Sequence, residues 1–145
     1  MNTESLRRVY QGPTEMRWGD MDAYGHVNNV RFFDYFQEAR VLWLNQAEVD
    51  MTDPDYGFVV VHISCDFTRE LGYPTRLLST IDVTKVGRSS ITIVQSVCDF
   101  NAPEIVYGRG NTVMVWRDHQ QGHACPMPQS VVSRLLSGPI DSMKL

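Results

Sequence analysis

Between residues 29 and 47 the apolar side chains Phe32, Phe36, Ala39, Trp43 and Ala47 recur at spacings of three and four. That period puts them on one stripe of an α-helix. Val30, Phe33, Val41 and Leu44 widen the stripe past half of the circumference. The pattern predicts a helix over 29–46 that is enclosed by other elements rather than laid on a surface. At 1.5 Å per residue it would be roughly 27 Å long. Asn28 or Asn29 can cap it, because a short amide side chain accepts a hydrogen bond from an orphan backbone N–H.

Elsewhere the period is two. Over 58–68, Val59, Val61, Ile63, Cys65 and Phe67 fall on one face, and His62, Ser64 and Asp66 on the other. Segments 76–86 and 90–100 alternate in the same way, with Gly87-Arg88-Ser89 turning between them, a hairpin signal. Segment 104–116 is the last long strand. Its Gly108 and Gly110 share a face and leave room for something to approach the backbone. Residues 14–18 read as a short first strand and 19–27 as a polar loop. Residues 47–57 form a connection broken by Pro54 and Gly57, and 128–138 a short terminal helix stopped by Gly138.

Strand, long helix, then four strands in succession predict one α+β domain over 1–145, an antiparallel sheet wrapped around the helix. The outer face and the edges of such a sheet need cover, which favours self-association.

Composition narrows the function. A chain of 145 residues fits one domain with a real core, and 43% apolar residues is ordinary for a globular protein. A net charge of −4 makes no electrostatic case for nucleic acid. No apolar run approaches the roughly 18 residues of a membrane span, and the opening MNTESLRRVYQGP lacks the apolar core of a signal peptide. Cys65, Cys98 and Cys125 are an odd number at wide spacing, which favours reduced thiols. The expectation is a cytoplasmic protein that binds neither nucleic acid nor membrane.

The polar groups crowd just before the long helix, in WGDMDAYGHVNN, residues 18–29. A helix N-terminus presents unpaired N–H donors and a partial positive charge. A carboxylate a few residues upstream, such as Asp22, can fold back beside it, and Gly25 lets the loop turn without a side chain in the way. Asp22 also reads as a loop or capping aspartate. Asp20 reads as a structural residue that holds the loop by hydrogen bonds. His26 could orient Asp22, contact a ligand or satisfy the loop. Arg88, Ser89 and Ser90 put one cation and two hydroxyls in a turn, which suits a phosphate or is an ordinary polar turn. His119, His123 and Cys125 lack a fourth ligand at a clean spacing, so no metal is expected.

The stretch WGDMDAYGHVNNVRFFDYFQEAR resembles the start of the 4-hydroxybenzoyl-CoA thioesterase branch of the hotdog-fold superfamily. The shared pattern is an aromatic residue, Asp-x-Asp, a glycine, and a small polar pair that opens a helix carrying Glu-Ala-Arg. Here these are Trp18, Asp20, Asp22, Gly25, Asn28, Asn29 and Glu38-Ala39-Arg40. The resemblance implies a hotdog fold and hydrolysis of acyl-CoA thioesters with no metal or other cofactor. It also implies a homodimer or homotetramer with sites at the subunit seam.

Asp22 then falls at the catalytic carboxylate, and Asn29 at the backbone N–H that polarises the thioester carbonyl. Thioester hydrolysis needs such a donor, because negative charge gathers on the carbonyl oxygen, and it needs an activated nucleophile. Asp22 could act as base or as nucleophile. Coenzyme A contacts are implied around Arg88, Ser89 and Ser90, with Trp18 and Gly25 in the motif itself. His62 and Ser64 could line an acyl pocket or be satisfied core polar groups.

The loop is also similar to that of acyl-ACP thioesterases, which carry Asp-x-Asn-x-His. Here Asp22, Tyr24 and His26 stand at those positions, with tyrosine in place of asparagine. The Asp-x-Asn-Pro-x-His signature of hotdog hydratases is absent. A non-catalytic acyl-binding protein is a further alternative, against which the intact Asp22 argues.

Overall fold

The alternating segments of the second half become three long antiparallel strands, and the 3.6-period segment becomes the helix they curl around. The computed structural model describes residues 6–138 together with Ile140 and Asp141. In chain order the elements are β1 (Arg7–Thr14), a single 3-10 turn (Trp18–Asp20), α1 (Asn29–Gln46), β2 (Tyr56–Ile63), β3 (Asp66–Phe67), β4 (Leu77–Val86), β5 (Ser90–Asp99), β6 (Val106–Asp118), β7 (His123–Ala124), α2 (Gln129–Leu135) and β8 (Ile140–Asp141). They form a sheet in the order β2-β6-β5-β4-β1-β8, with β3 and β7 also paired to β6. All pairings are antiparallel except β1 with β8. This is the expected α+β layout.

One face of the sheet packs on α1 in two clusters. Ala39, Trp43 and Leu44 meet Ile81, Val83, Ile91, Ile93 and Met114. Phe32, Tyr35 and Phe36 meet Leu71, Leu77 and Val97. Each buried Val, Leu, Ile, Phe or Met among them contributes about 1.5–3 kcal/mol. Between the clusters sits a polar bridge. Arg40 Nη1 donates to Gln95 Oε1 at 3.0 Å, and Gln95 Nε2 donates to the Phe36 carbonyl at 2.9 Å. Burial pushes the Arg40 guanidinium pKa down. The bridge gives that buried cation an acceptor on the sheet.

Gly108 and Gly110 make room, as expected, and the structure shows for what. A Cβ on Gly108 would lie 2.6 Å from the Phe32 ring, and one on Gly110 would lie 1.7 Å from the Ser64 carbonyl oxygen. The helix N-terminus and the chain after β2 both press on the same short stretch of β6.

Three expectations are corrected. The first strand is Arg7–Thr14, not 14–18. Beyond Thr14 the Asp20 carboxylate accepts the Arg17 N–H at 2.9 Å and folds 18–20 into a turn. The strand expected over 58–68 divides into β2 and β3, with an irregularity in register between Val60 and His62. That disrupts the strict alternation, and β2 is an edge strand, where such irregularities are tolerated. The helix is also less enclosed within one chain than its stripe suggested, since Val30 is 63% exposed.

Candidate active site

Asn28 caps α1 as expected. Its side-chain oxygen accepts the Val30 N–H at 3.0 Å, and its carbonyl accepts the Arg31 N–H at 2.9 Å. The Asn29 N–H has no acceptor among the described residues, so one donor is left free at the positive end of the helix.

The loop before the helix is folded back against that end. The Asp22 N–H donates to the His26 carbonyl at 2.8 Å, and the Gly25 N–H to the Asp22 carbonyl at 3.1 Å. Gly25 has φ of +82°, a conformation that glycine adopts without strain. Asp22 Oδ1 accepts the Tyr24 N–H at 2.9 Å, while Oδ2 accepts nothing among the described residues. One carboxylate oxygen thus fixes the group and the other is available.

Asp22, Tyr24, His26, Asn29 and Phe32 line a cavity of about 490 Å³ with Phe67, Thr68, Arg69, Glu70 and Leu71. This is a volume ordinary for small-molecule sites. The 67–71 segment arrives from after β3. It is fastened by the Val27 N–H to the Leu71 carbonyl at 2.7 Å and by the Thr68 N–H to the Tyr107 carbonyl at 2.9 Å. His26 Nε2 lies 3.3 Å from Glu70 Oε2. No local pattern in the sequence marks Glu70. The fold alone carries it, beside Arg69, to the helix mouth.

Asp20, two residues from Asp22, is buried and outside this cavity. Its Oδ2 accepts the Tyr35 hydroxyl at 2.7 Å as well as the Arg17 N–H.

Other expected site residues are not brought to Asp22 within one chain. Trp18 is 73% exposed and does not line the cavity. His62 is exposed on β2, and the Ser64 backbone pairs with Asn111, so neither forms part of the cavity wall. The turn of Arg88, Ser89 and Ser90 lies at the other end of the sheet. Ser90 is opposite Val115, whereas Val97 is opposite Gly108 beside the helix mouth. The separation along β5 is roughly 23 Å at about 3.3 Å per residue. His123 Nε2 is 3.1 Å from Gln121 Oε1 in an exposed turn. Among the described residues no three of His, Cys, Asp and Glu are grouped to hold a metal, and no helix is long and apolar enough to cross a membrane.

The comparisons agree with this architecture. The family model of the thioesterase-like superfamily matches residues 16–135. A solved structure of a candidate thioesterase from Pseudomonas aeruginosa is 29% identical, with a TM-score of 0.83 over 88% of this chain and 98% of that one. A candidate acyl-CoA thioesterase from Xanthomonas campestris is 37% identical, with a TM-score of 0.70 over 76% of this chain and 93% of that one. Protein YsmA of Bacillus subtilis, of no assigned activity, is 30% identical over 78 residues, which are 54% of this chain. The match spans about half, 53%, of that curated relative's length. With its sheet curled around one long helix and a family match covering both, the chain belongs to the thioesterase-like superfamily and has the hotdog fold.

Proposed function

We propose that the chain hydrolyses acyl-CoA thioesters to a carboxylic acid and free coenzyme A, using Asp22 and the N-terminal N–H of α1. The observation that carries this reading is the meeting of two complementary groups in one cavity wall. Asn29, whose N–H is free, and Asp22, whose carboxylate is half-free, both line it.

The chemistry follows from these groups. The thioester carbonyl oxygen takes the Asn29 N–H and the positive end of the helix dipole, and both strengthen as charge gathers on that oxygen. One such donor is typically worth about 10²–10³ in rate. Asp22 Oδ2 takes a proton from an attacking water, or attacks the carbonyl carbon itself. Gly25 leaves the approach free of a side chain. No metal or other cofactor enters this scheme.

The site is completed by a second copy. The free edge of β2 carries the exposed Val60 and Val61, and Val30 and Phe67 are exposed near the helix mouth. Antiparallel pairing of two such edges reverses the partner. The beginning of its β2 then lies beside the end of this chain's β2. In each chain Val59, near the start of β2, and Ser90 both pair with Val115. The Arg88 turn, remote from Asp22 within one chain, thereby approaches the site across the seam and is suited to a coenzyme A phosphate.

The test is release of free thiol from short, long and aromatic acyl-CoAs, with one acyl-ACP included. Hydrolysis of one or more acyl-CoAs is expected. Cleavage confined to the acyl-ACP would change the carrier, and no thiol release from any substrate would overturn the reading.

A further inference from the structure

We propose that Glu70 is a positioning residue that holds the His26 imidazole as the proton donor to the departing thiol sulfur. This rests on the thioesterase reading above.

The geometry carries it. Asp22, His26 and Glu70 line the same cavity, and His26 Nε2 lies 3.3 Å from Glu70 Oε2. Backbone hydrogen bonds fix both partners. The His26 carbonyl accepts the Asp22 N–H at 2.8 Å, and the residue after each partner joins the two segments through the 2.7 Å bond from Val27 to Leu71. Glu70 is the acidic partner of His26 among the described residues, and Nδ1 of the ring has no hydrogen-bond partner there. The other charged groups in the cavity wall, Asp22 and Arg69, are not within ion-pair distance of the ring. A ring anchored through one nitrogen offers the other to a ligand.

The reaction has a use for such a donor. An alkyl thiol ionises near pH ~8.5 and a carboxylic acid near ~4. If Asp22 attacks, the tetrahedral intermediate therefore returns to reactants more readily than it expels an unassisted thiolate. If water attacks, the sulfur still leaves faster when it is protonated. In either course the C–S bond breaks and its electron pair goes to sulfur. Sulfur takes the Nδ1 proton of the imidazolium, and the ring is left neutral with Nε2–H directed at Glu70. A proton released by the water that enters the product returns to the ring, so thioester and water become acid and thiol.

The experiment compares two esters of one acyl group, the coenzyme A thioester and an S-aryl thioester whose more acidic thiol needs no proton to leave. His26→Gln should lower kcat on the coenzyme A ester by about 10²-fold, the lower end of general acid catalysis. On the aryl ester its loss should be at least about tenfold smaller, as the general acid is no longer required. Glu70→Gln should cost about fivefold on the coenzyme A ester, the upper end of what an exposed ion pair contributes, and should show the same relief on the aryl ester. Asp22→Asn should lose activity on both. Activity on the aryl ester also reports that each variant is folded. Equal losses on the two esters, or wild-type kcat for His26→Gln or Glu70→Gln on the coenzyme A ester, would overturn the proposal and leave the thioesterase reading intact. A wild-type protein that releases no thiol from either ester, nor from any acyl-CoA or acyl-ACP of the panel, overturns both.

Discussion

The Tyr35 hydroxyl donates a 2.7 Å hydrogen bond to Asp20 Oδ2, and this ties the loop before α1 to the second turn of the helix that follows it. Burial first, and the Asp20 carboxylate second, push the Tyr35 pKa up, so the phenol remains a donor. The two aspartates of the Gly19–Asp22 run thereby part company. Asp20 is buried and engaged, whereas Asp22 keeps one oxygen available at the cavity wall.

That division sets the first prediction. Asp22→Asn preserves shape and the acceptor for the Tyr24 N–H, but cannot take a proton or attack as a carboxylate. Its kcat should fall by about 10²- to 10⁴-fold, with a small residual rate from the Asn29 N–H. A kcat above about a tenth of wild type, outside that range, would remove Asp22 from the chemistry.

Tyr35→Phe removes the donor that Asp20 holds inside the fold. A hydrogen bond to a charged group is worth about 1.5–3 kcal/mol. Denaturant unfolding should show a loss of that size, and Asp20→Asn should likewise cost stability more than rate. Unchanged unfolding midpoints in both variants would mean that the Asp20 anchor is not structural.

Gly110→Ala should be far more damaging than Gly108→Ala. At Gly110 the new Cβ would strike the Ser64 backbone, which can shift only by parting the chain from β6. At Gly108 it meets the Phe32 side chain, which can turn aside, although that ring lines the cavity. Thermal unfolding should place Gly110→Ala well below Gly108→Ala, and the reverse order would refute the close approach.

Cys65 should be a slow thiol. Burial pushes its pKa up to about 11. The reactive species is the thiolate, so the alkylation rate of Cys65 should rise about tenfold per pH unit between pH ~8 and ~10. Mass spectrometry of Cys65 after timed alkylation measures this, and a rate that levels off near pH 9 would contradict it.

The β2 edge can be tested with Val61→Lys, since an edge lysine opposes strand pairing. Light scattering should show a dimer or larger assembly for wild type and a monomer for the variant. In the assembled protein Arg88→Ala should raise KM for acyl-CoA with kcat nearly unchanged, because a phosphate contact acts alike in ground and transition states. A monomeric wild type at micromolar concentration would exclude the shared site.

By itself the sequence determined what local chemistry controls. The spacing of Phe32, Phe36, Ala39 and Trp43, with Asn28 as cap, placed α1 at its observed bounds. The alternation around Gly87-Arg88-Ser89 placed β4 and β5 within about a residue of their ends. Gly25 was readable because a chain that turns back so tightly favours a residue free to take positive φ. Tertiary structure decided the rest. The pairing of β1 with β4 joins residues about seventy positions apart, so no local pattern in Arg7–Thr14 announces it. Glu70 meets His26 only because Val27 and Leu71 share a hydrogen bond across the loop. The Arg88 turn, which the family resemblance sets among the coenzyme A contacts, lies at the far end of β5 because strands are rigid and their length separates what they join. Local periodicity specifies an element, whereas long-range pairing decides which side chains share a cavity.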